Sequence, residues 1–477
     1  MSSAQKVLQN SLILSAGHII AKIFNLVIVV LLTRRFGSEG FGQYSFVMAF
    51  VMIFMFANHL GINTYLVQQI AAGKEQARAL FQTGTTIVAF LSVFTLLLIN
   101  LLARQVHYEA ELVTLISIFS LYLYFDAWSR YLISYFRAFE KMQYEAYLYI
   151  LERFGLLVMT CLVFYSQGSL RQLGILFTLV VAVKALVAFY WLHKYFIPRP
   201  WRFRIGGSAA ILKAAWPFTL ILVFASLTMR IDALMLEAMD SVVAVGIYAA
   251  ARRLVESLSF FPEMLVAALF PAMAALFQEN REKFALNMGE ALRLMLMLAI
   301  PVMIVLWGIS PAVIDLLYNE EFSGAVVPMQ WLGVWWGVLG VRYIFYVALN
   351  AAGKEKSLAV FSAVVLGINV LLNWILIPSH GPKGAALATV VSEILMVILN
   401  IAFLRSFICF GQKKAMLAVM VGGILGAATI YLLGGISWWG QTLAALAVFT
   451  AVFLALGGLL PRDLSRMASL YRRLIRR

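Results

Sequence analysis

Charge is scarce in this 477-residue chain: Asp, Glu, Lys and Arg make up only 12%, and acids are the scarcer sign, 22 against 37 bases. Soluble domains carry about 25% charged and about 45–50% apolar residues. Here 63% are apolar and the mean hydropathy is +0.91. A water-soluble enzyme is excluded, and lipid is the solvent around most of the protein. Cysteine is nearly absent. Cys161 and Cys409 stand alone in apolar stretches, without CxxC or Cys/His spacing, which excludes a disulfide framework and a zinc site. No GxxxxGK[ST] run occurs, so this chain has no loop for ATP phosphates, and it has no nucleic-acid motif.

What the chain does have is long apolar runs. A membrane-spanning helix takes roughly 20 such residues. Runs of that kind fall at 11–33, 41–66, 81–102, 112–134, 146–166, 172–195, 210–238, 242–276, 291–318, 325–350, 357–377, 384–407, 414–434 and 439–460. The first is too long for a signal-peptide core and lacks a small-residue cleavage site, so it reads as a retained span. Residues 91–102 are apolar on every side, which rules out the alternating pattern of a β-barrel. The expectation is an all-α polytopic membrane protein with about 14 transmembrane helices. With the N-terminus inside, twenty-three bases fall in inner connections. Only five, Arg34, Arg35, Arg104, Arg171 and Lys383, fall in outer ones. Both termini are therefore expected in the cytoplasm.

The chain also repeats itself. Residues 30–46 lie over residues 234–250 at an offset of 204, matching Gly42-Gln43-Tyr44 with Gly246-Ile247-Tyr248. Residues 137–141 resemble residues 350–354 at an offset of 213. Six spans separate the copies, an even number, so the halves cross the membrane in the same direction. Two six-helix lobes with pseudo-two-fold symmetry follow. The expected divisions are an N-terminal lobe at 1–205, a C-terminal lobe at 206–410, two further spans at 411–460 and a basic cytoplasmic tail at 461–477.

Nine bases lie within the proposed spans: Lys22, Arg130, Arg153, Lys184, Arg230, Arg252, Arg253, Arg293 and Arg342. A base facing hydrocarbon is costly, so these need a wet or paired interior. Arg130, Arg253 and Arg293 stand near span ends, where they can snorkel. The other six, Lys22, Arg153, Lys184, Arg230, Arg252 and Arg342, are candidate cavity cations for an anionic substrate; structural pairing with carboxylates is the alternative for each. Lys22 shares a helix face with His18 and Asn25. Arg230 and Asp232 are two apart and cannot share a face, so each needs a partner on another span. Arg252 and Glu256 stand i, i+4, as do Asp126 and Arg130, where the structural pair leads. Arg342 has no acid within four positions. Asp232 and Glu393 are the candidate counter-ions or coupling carboxylates, and Glu393 is equally placed to neutralise Arg342. No catalytic residue or metal ligand is assigned.

Three segments carry a family likeness: TRRFGSEGFGQYSF after the first span, NHLGINTYLVQQIA at 58–71 and MRIDALMLEAMDSVVAVGIYAAARRLVE at 229–256. They resemble the polysaccharide flippases, the Wzx-type O-antigen and oligosaccharide-lipid branch of the multidrug/oligosaccharidyl-lipid/polysaccharide exporter superfamily, over roughly residues 5–405. The Asp followed by Gly-x-Tyr-x-x-x-Arg in spans seven and eight is the most specific part. The resemblance implies a MATE-like fold and alternating access. The implied cargo is undecaprenyl-diphosphate-linked oligosaccharide, moved across the bacterial cytoplasmic (inner) membrane. Membrane lipids, a polysaccharide polymerase and chain-length proteins are the implied partners, and nucleic acid is not. No cofactor is expected; coupling to H+ or Na+, the membrane potential and consumption of the product are the alternatives for setting net movement. Lipid II flippases and cation-coupled multidrug exporters are the rivals. A polyprenyl-linked glycosyltransferase is disfavoured because the outer connections are short.

Overall fold

The computed structural model describes residues 3–73, 77–106, 108–197, 204–405 and 413–458. The tail expected at 461–477 lies outside the described residues. Among the described residues there is helix and no strand, as lipid demands, because a helix satisfies its own backbone hydrogen bonds. The helices are α1 (Ser3–Ile53), α2 (Ile62–Ala72), α3 (Ala77–Gln105), α4 (Ala110–Ala138), α5 (Met142–Tyr165), α6 (Leu170–Tyr195), α7 (Ser208–Met239) and α8 (Val242–Ser257). They continue with α9 (Phe260–Glu279), α10 (Arg281–Leu317), α11 (Val326–Ala351), α12 (Glu355–Leu404), α13 (Lys413–Leu432) and α14 (Trp438–Ala455). Ten described segments are long and apolar enough to cross a membrane.

Glycine explains why two of these elements each contain two of the expected spans. Helix α1 is broken at Gly37 (φ 65°) and α12 at Gly381 (φ 51°), backbone values that L side chains rarely adopt. Both breaks fall in the gaps between expected spans. Two spans expected to be continuous are themselves interrupted. Residues 41–66 pass through a 3-10 turn at Phe54–Asn58 and positive φ at Leu60 and Gly61 before α2 begins. Residues 242–276 divide into α8 and α9 just before Pro262. Proline has no N–H to offer the Leu258 carbonyl, which instead accepts from the Phe261 amide. The two interruptions begin at 54 and 258, the same 204-residue offset as the repeat.

Hydrogen bonds repeat with the sequence. At the end of α4 the Lys141 amide donates to the Phe136 carbonyl, and at the end of α11 the Lys354 amide donates to that of Leu349. The residues between, Glu140 and Gly353, have φ of 60° and 66°. Each is a Schellman cap, and the two are 213 residues apart.

The described helices form two compact units, Met1–Arg253 with Asn373–Pro382, and Leu254–Leu372 with Lys383–Arg477. The first is cored by residues such as Phe81, Tyr131, Tyr135 and Phe136. The second is cored by Met288, Met295 and Phe345, with α13 and α14 packed on α10 through Ile304, Ala445 and Phe449. Outward stripes such as Phe90, Phe94, Leu97 and Leu101 on α3 are exposed and suit contact with lipid.

Within the first unit, α1 beyond Gly37 crosses α8 backbone to backbone. A Cβ added to Gly42 would lie 2.0 Å from the Val242 carbonyl oxygen, and one added to Gly246 would lie 2.1 Å from that of Ser38. Positions 38 and 242, and 42 and 246, are both related by the 204-residue offset, so the contact is reciprocal, as a two-fold axis requires. Small residues allow such close approach in membranes, where packing replaces the hydrophobic effect. Gly42→Ala and Gly246→Ala should each lower the thermal unfolding midpoint in detergent. Gly367→Ala on α12, where the added methyl meets nothing within 4 Å, should be neutral or slightly stabilising. An unchanged midpoint in both crossing variants would show that the helices do not meet there.

Candidate functional site

The charges expected in the spans fall into groups, and periodicity explains each. Asp126 and Arg130 are one turn apart on α4, and Arg130 Nε donates to Asp126 Oδ2 at 2.5 Å. Lys184 on α6 lies between two acids, with its Nζ 3.0 Å from Asp126 Oδ1 and 2.7 Å from Glu152 Oε2 on α5. All three are buried. Lys184, expected among the cavity cations, thus commits its charge to carboxylates inside the first unit. Arg153, the neighbour of Glu152, approaches that acid only to 3.6 Å.

A second group joins α7, α8 and the middle of α12. Asp232 is 1% exposed. Its Oδ2 accepts from the Tyr248 hydroxyl at 2.7 Å and from Arg252 Nη1 at 2.8 Å, while Oδ1 accepts from Asn373 Nδ2 at 2.8 Å. Tyr248 and Arg252 are four apart and so project from one face of α8, the arrangement behind the Gly-x-Tyr-x-x-x-Arg spacing. Arg252 therefore finds its acid on α7, and Asp232 finds partners on other helices, as its distance from Arg230 along the chain required. Three donors on a buried carboxylate meet the demand that a desolvated charge be paired and hydrogen-bonded. Asn373 was missed from sequence; its only signal is an amide within an apolar run.

The third group is the most basic. The charges of Arg253, Arg153 and Arg230 all act on the Tyr44 hydroxyl. The Tyr44 ring lies edge-on to Phe119 and Phe177, with centroids at 5.8 and 6.4 Å. Tyr44 is the repeat mate of Tyr248, whose hydroxyl donates to Asp232 and accepts from Arg252 at 3.1 Å. Arg153 on α5, Arg230 on α7 and Arg253 on α8 share one electrostatic neighbourhood in the first unit. Arg253, which the sequence reading leaves to snorkel at a span end, belongs to this set. Lys22 is half-buried on α1, opposite the exposed Ile20, Ile23 and Val27.

In the second unit Arg342 on α11 forms an ion pair with Glu393 on α12. Arg342 also lies 5.5 Å from the ring centre of Tyr343. Each had been left without an acidic or basic neighbour in its own span. Among the described residues no cluster of His, Cys, Asp and Glu has the makings of a metal site.

A model of the family described as "Polysaccharide biosynthesis protein" matches residues 7–277. The chain is 23% identical over 194 residues to "Probable low-salt glycan biosynthesis flippase Agl15" of Haloferax volcanii. The match takes in 39% of this chain and 41% of that protein. The chain spans between about a third and two-fifths of the length of the curated relatives it matches. Among solved structures, "Lipid II flippase MurJ, inward closed conformation" superposes with a TM-score of 0.77 at 17% identity, covering 95% of this chain and 99% of that one. A multidrug resistance MATE family transporter of the MOP superfamily, in its inward-facing conformation, gives 0.65 at 15% identity over 81% and 94% of the two chains. The fold is that of these transporters.

Deleting one partner of a buried ion pair costs about 3–5 kcal/mol, because the other charge is left unpaired. Asp232→Ala should therefore lower the thermal midpoint more than the double variant Asp232→Ala/Arg252→Met. If the double variant is the less stable of the two, Asp232 and Arg252 do not neutralise each other.

Proposed function

Because the chain belongs to the polysaccharide biosynthesis protein family and folds as a MOP superfamily transporter, we propose that it is a lipid-linked oligosaccharide flippase. In this reading it moves undecaprenyl-diphosphate-linked oligosaccharide from the cytoplasmic to the outer leaflet by alternating access. It is a carrier and not an enzyme. The observation that carries the reading is that the charges of Arg153, Arg230 and Arg253 all reach Tyr44 in the first unit. An anionic diphosphate must leave water to cross, and guanidinium groups replace its hydration by bidentate, charge-assisted hydrogen bonds. A cationic drug would meet repulsion at the same place.

Lys22 and Arg252 extend the basic lining. Arg252 is held by Asp232 until a headgroup competes for it. Asp232 is then the carboxylate placed to take up H+ or Na+ as the arginine turns away, which would couple transport to an ion gradient. Arg342 and Glu393 form a further base–acid pair, in the second unit. The polyprenyl chain stays in lipid throughout. A bacterial cytoplasmic membrane with both termini inside accords with the distribution of Lys and Arg. The polysaccharide polymerase and chain-length proteins would receive the product.

The coverage of the lipid II flippase structure supports a second reading with the same headgroup and a peptidoglycan precursor as its sugar. Complementation separates the two. The gene should restore surface polysaccharide to a strain lacking its oligosaccharide flippase and should not sustain growth of a strain depleted of its lipid II flippase; the reverse result would establish the second reading. Arg230→Gln and Arg253→Gln should each cut the restored polysaccharide by about tenfold, the order of one charge-assisted hydrogen bond, with protein levels in the membrane unchanged. Full restoration by both variants would remove the arginine group from the transport path.

A further inference from the structure

Five charged side chains of α4, α5 and α6 form one connected group: Arg130, Asp126, Lys184, Glu152 and Arg153. Two acids face three bases, so one positive charge is in surplus. The distances show which base carries it. Lys184 takes both acids at hydrogen-bond distance, with 3% of its side chain exposed. Arg130 takes the second oxygen of Asp126 at 2.5 Å. Arg153 has the weakest claim, a 3.6 Å approach to Glu152, and 29% of its side chain is exposed. Adjacent helical residues do not face one another, which accounts for the loose contact.

Arg153 is also turned away from lipid. The exposed stripe of α5 runs through Tyr147, Leu151, Phe154 and Val158. Arg153 is two residues from Leu151, about 200° around the helix. Tyr44 is within reach of its charge, as it is of those of Arg230 and Arg253.

We infer that Lys184 is a positioning residue: it satisfies Asp126 and Glu152, so that Arg153 keeps a loosely held charge for an anionic headgroup. The inference rests on the proposed function in taking that headgroup to be a diphosphate. Without Lys184, two acids and two arginines balance, and Arg153 is drawn onto Glu152. If Glu152 is then removed as well, Asp126 retains Arg130 and the surplus returns to Arg153. A residue that served only to hold the helices together would not be rescued by deleting one of its own partners.

The test uses the full-length protein in lipid nanodiscs with Lys184→Met, Glu152→Gln and the double variant. Two properties are measured. The first is the rate at which p-hydroxyphenylglyoxal modifies Arg153, read by mass spectrometry; the second is affinity for farnesyl diphosphate. Arg153 modification should slow several-fold in Lys184→Met and recover in the double variant. Affinity for the probe should fall about tenfold and recover in parallel. Glu152→Gln alone, which raises the surplus to two, should speed modification and tighten binding. This variant decides the matter should Lys184→Met fail to fold. Unchanged Arg153 reactivity in Lys184→Met, or a double variant as slow as the single one, overturns the inference, as does slower modification in Glu152→Gln. If reactivity follows the expected order while no form of the protein binds the probe, the positioning role stands and the diphosphate reading falls.

Discussion

A charge cannot be left alone in hydrocarbon, and the arrangement of this protein follows from how it meets that demand. Asp126, Glu152 and Asp232 are each held by more than one donor or base. Bases nonetheless outnumber acids, 37 to 22 over the chain. In the first unit the charges of Arg153, Arg230 and Arg253 all reach Tyr44. Asp126, Glu152 and Asp232 each fix a base in the fold.

Backbone punctuation is the second constraint. Lipid penalises unsatisfied amides and carbonyls, so interruptions of helices need local compensation. The Leu258 carbonyl accepts from Phe261 in place of the amide Pro262 lacks, and Schellman caps close α4 and α11. The interrupted second span of each repeat lies at the same offset as the glycine crossing. In transporters built from repeats, interruptions at corresponding positions mark the region that binds substrate. Arg252 and Arg253 stand on α8, just before the second of them.

Much of this was legible from sequence. Apolar run length located the helices, and the gaps at residues 34–40 and 378–383 fell on Gly37 and Gly381. The two-residue separation of Arg230 and Asp232 required that they look to different helices, and Arg342 had to find its acid elsewhere. What sequence could not supply was the register between helices. Lys184 looked like an isolated cation because Asp126 and Glu152 are remote in sequence and only packing of α4, α5 and α6 brings them together. Asn373 carries no periodic signal at all.

The reciprocal glycine contact has a consequence for ancestry. A surface that touches its own duplicate through matched positions is the isologous pattern of homodimers. A half-length forebear pairing with a second copy would have used one residue for both sides of that interface. After duplication the two positions are free to diverge in name only, since bulk added to either copy falls on the same crossing. Drift elsewhere has given Tyr248 the acid partner Asp232, while Gly42 and Gly246 remain identical.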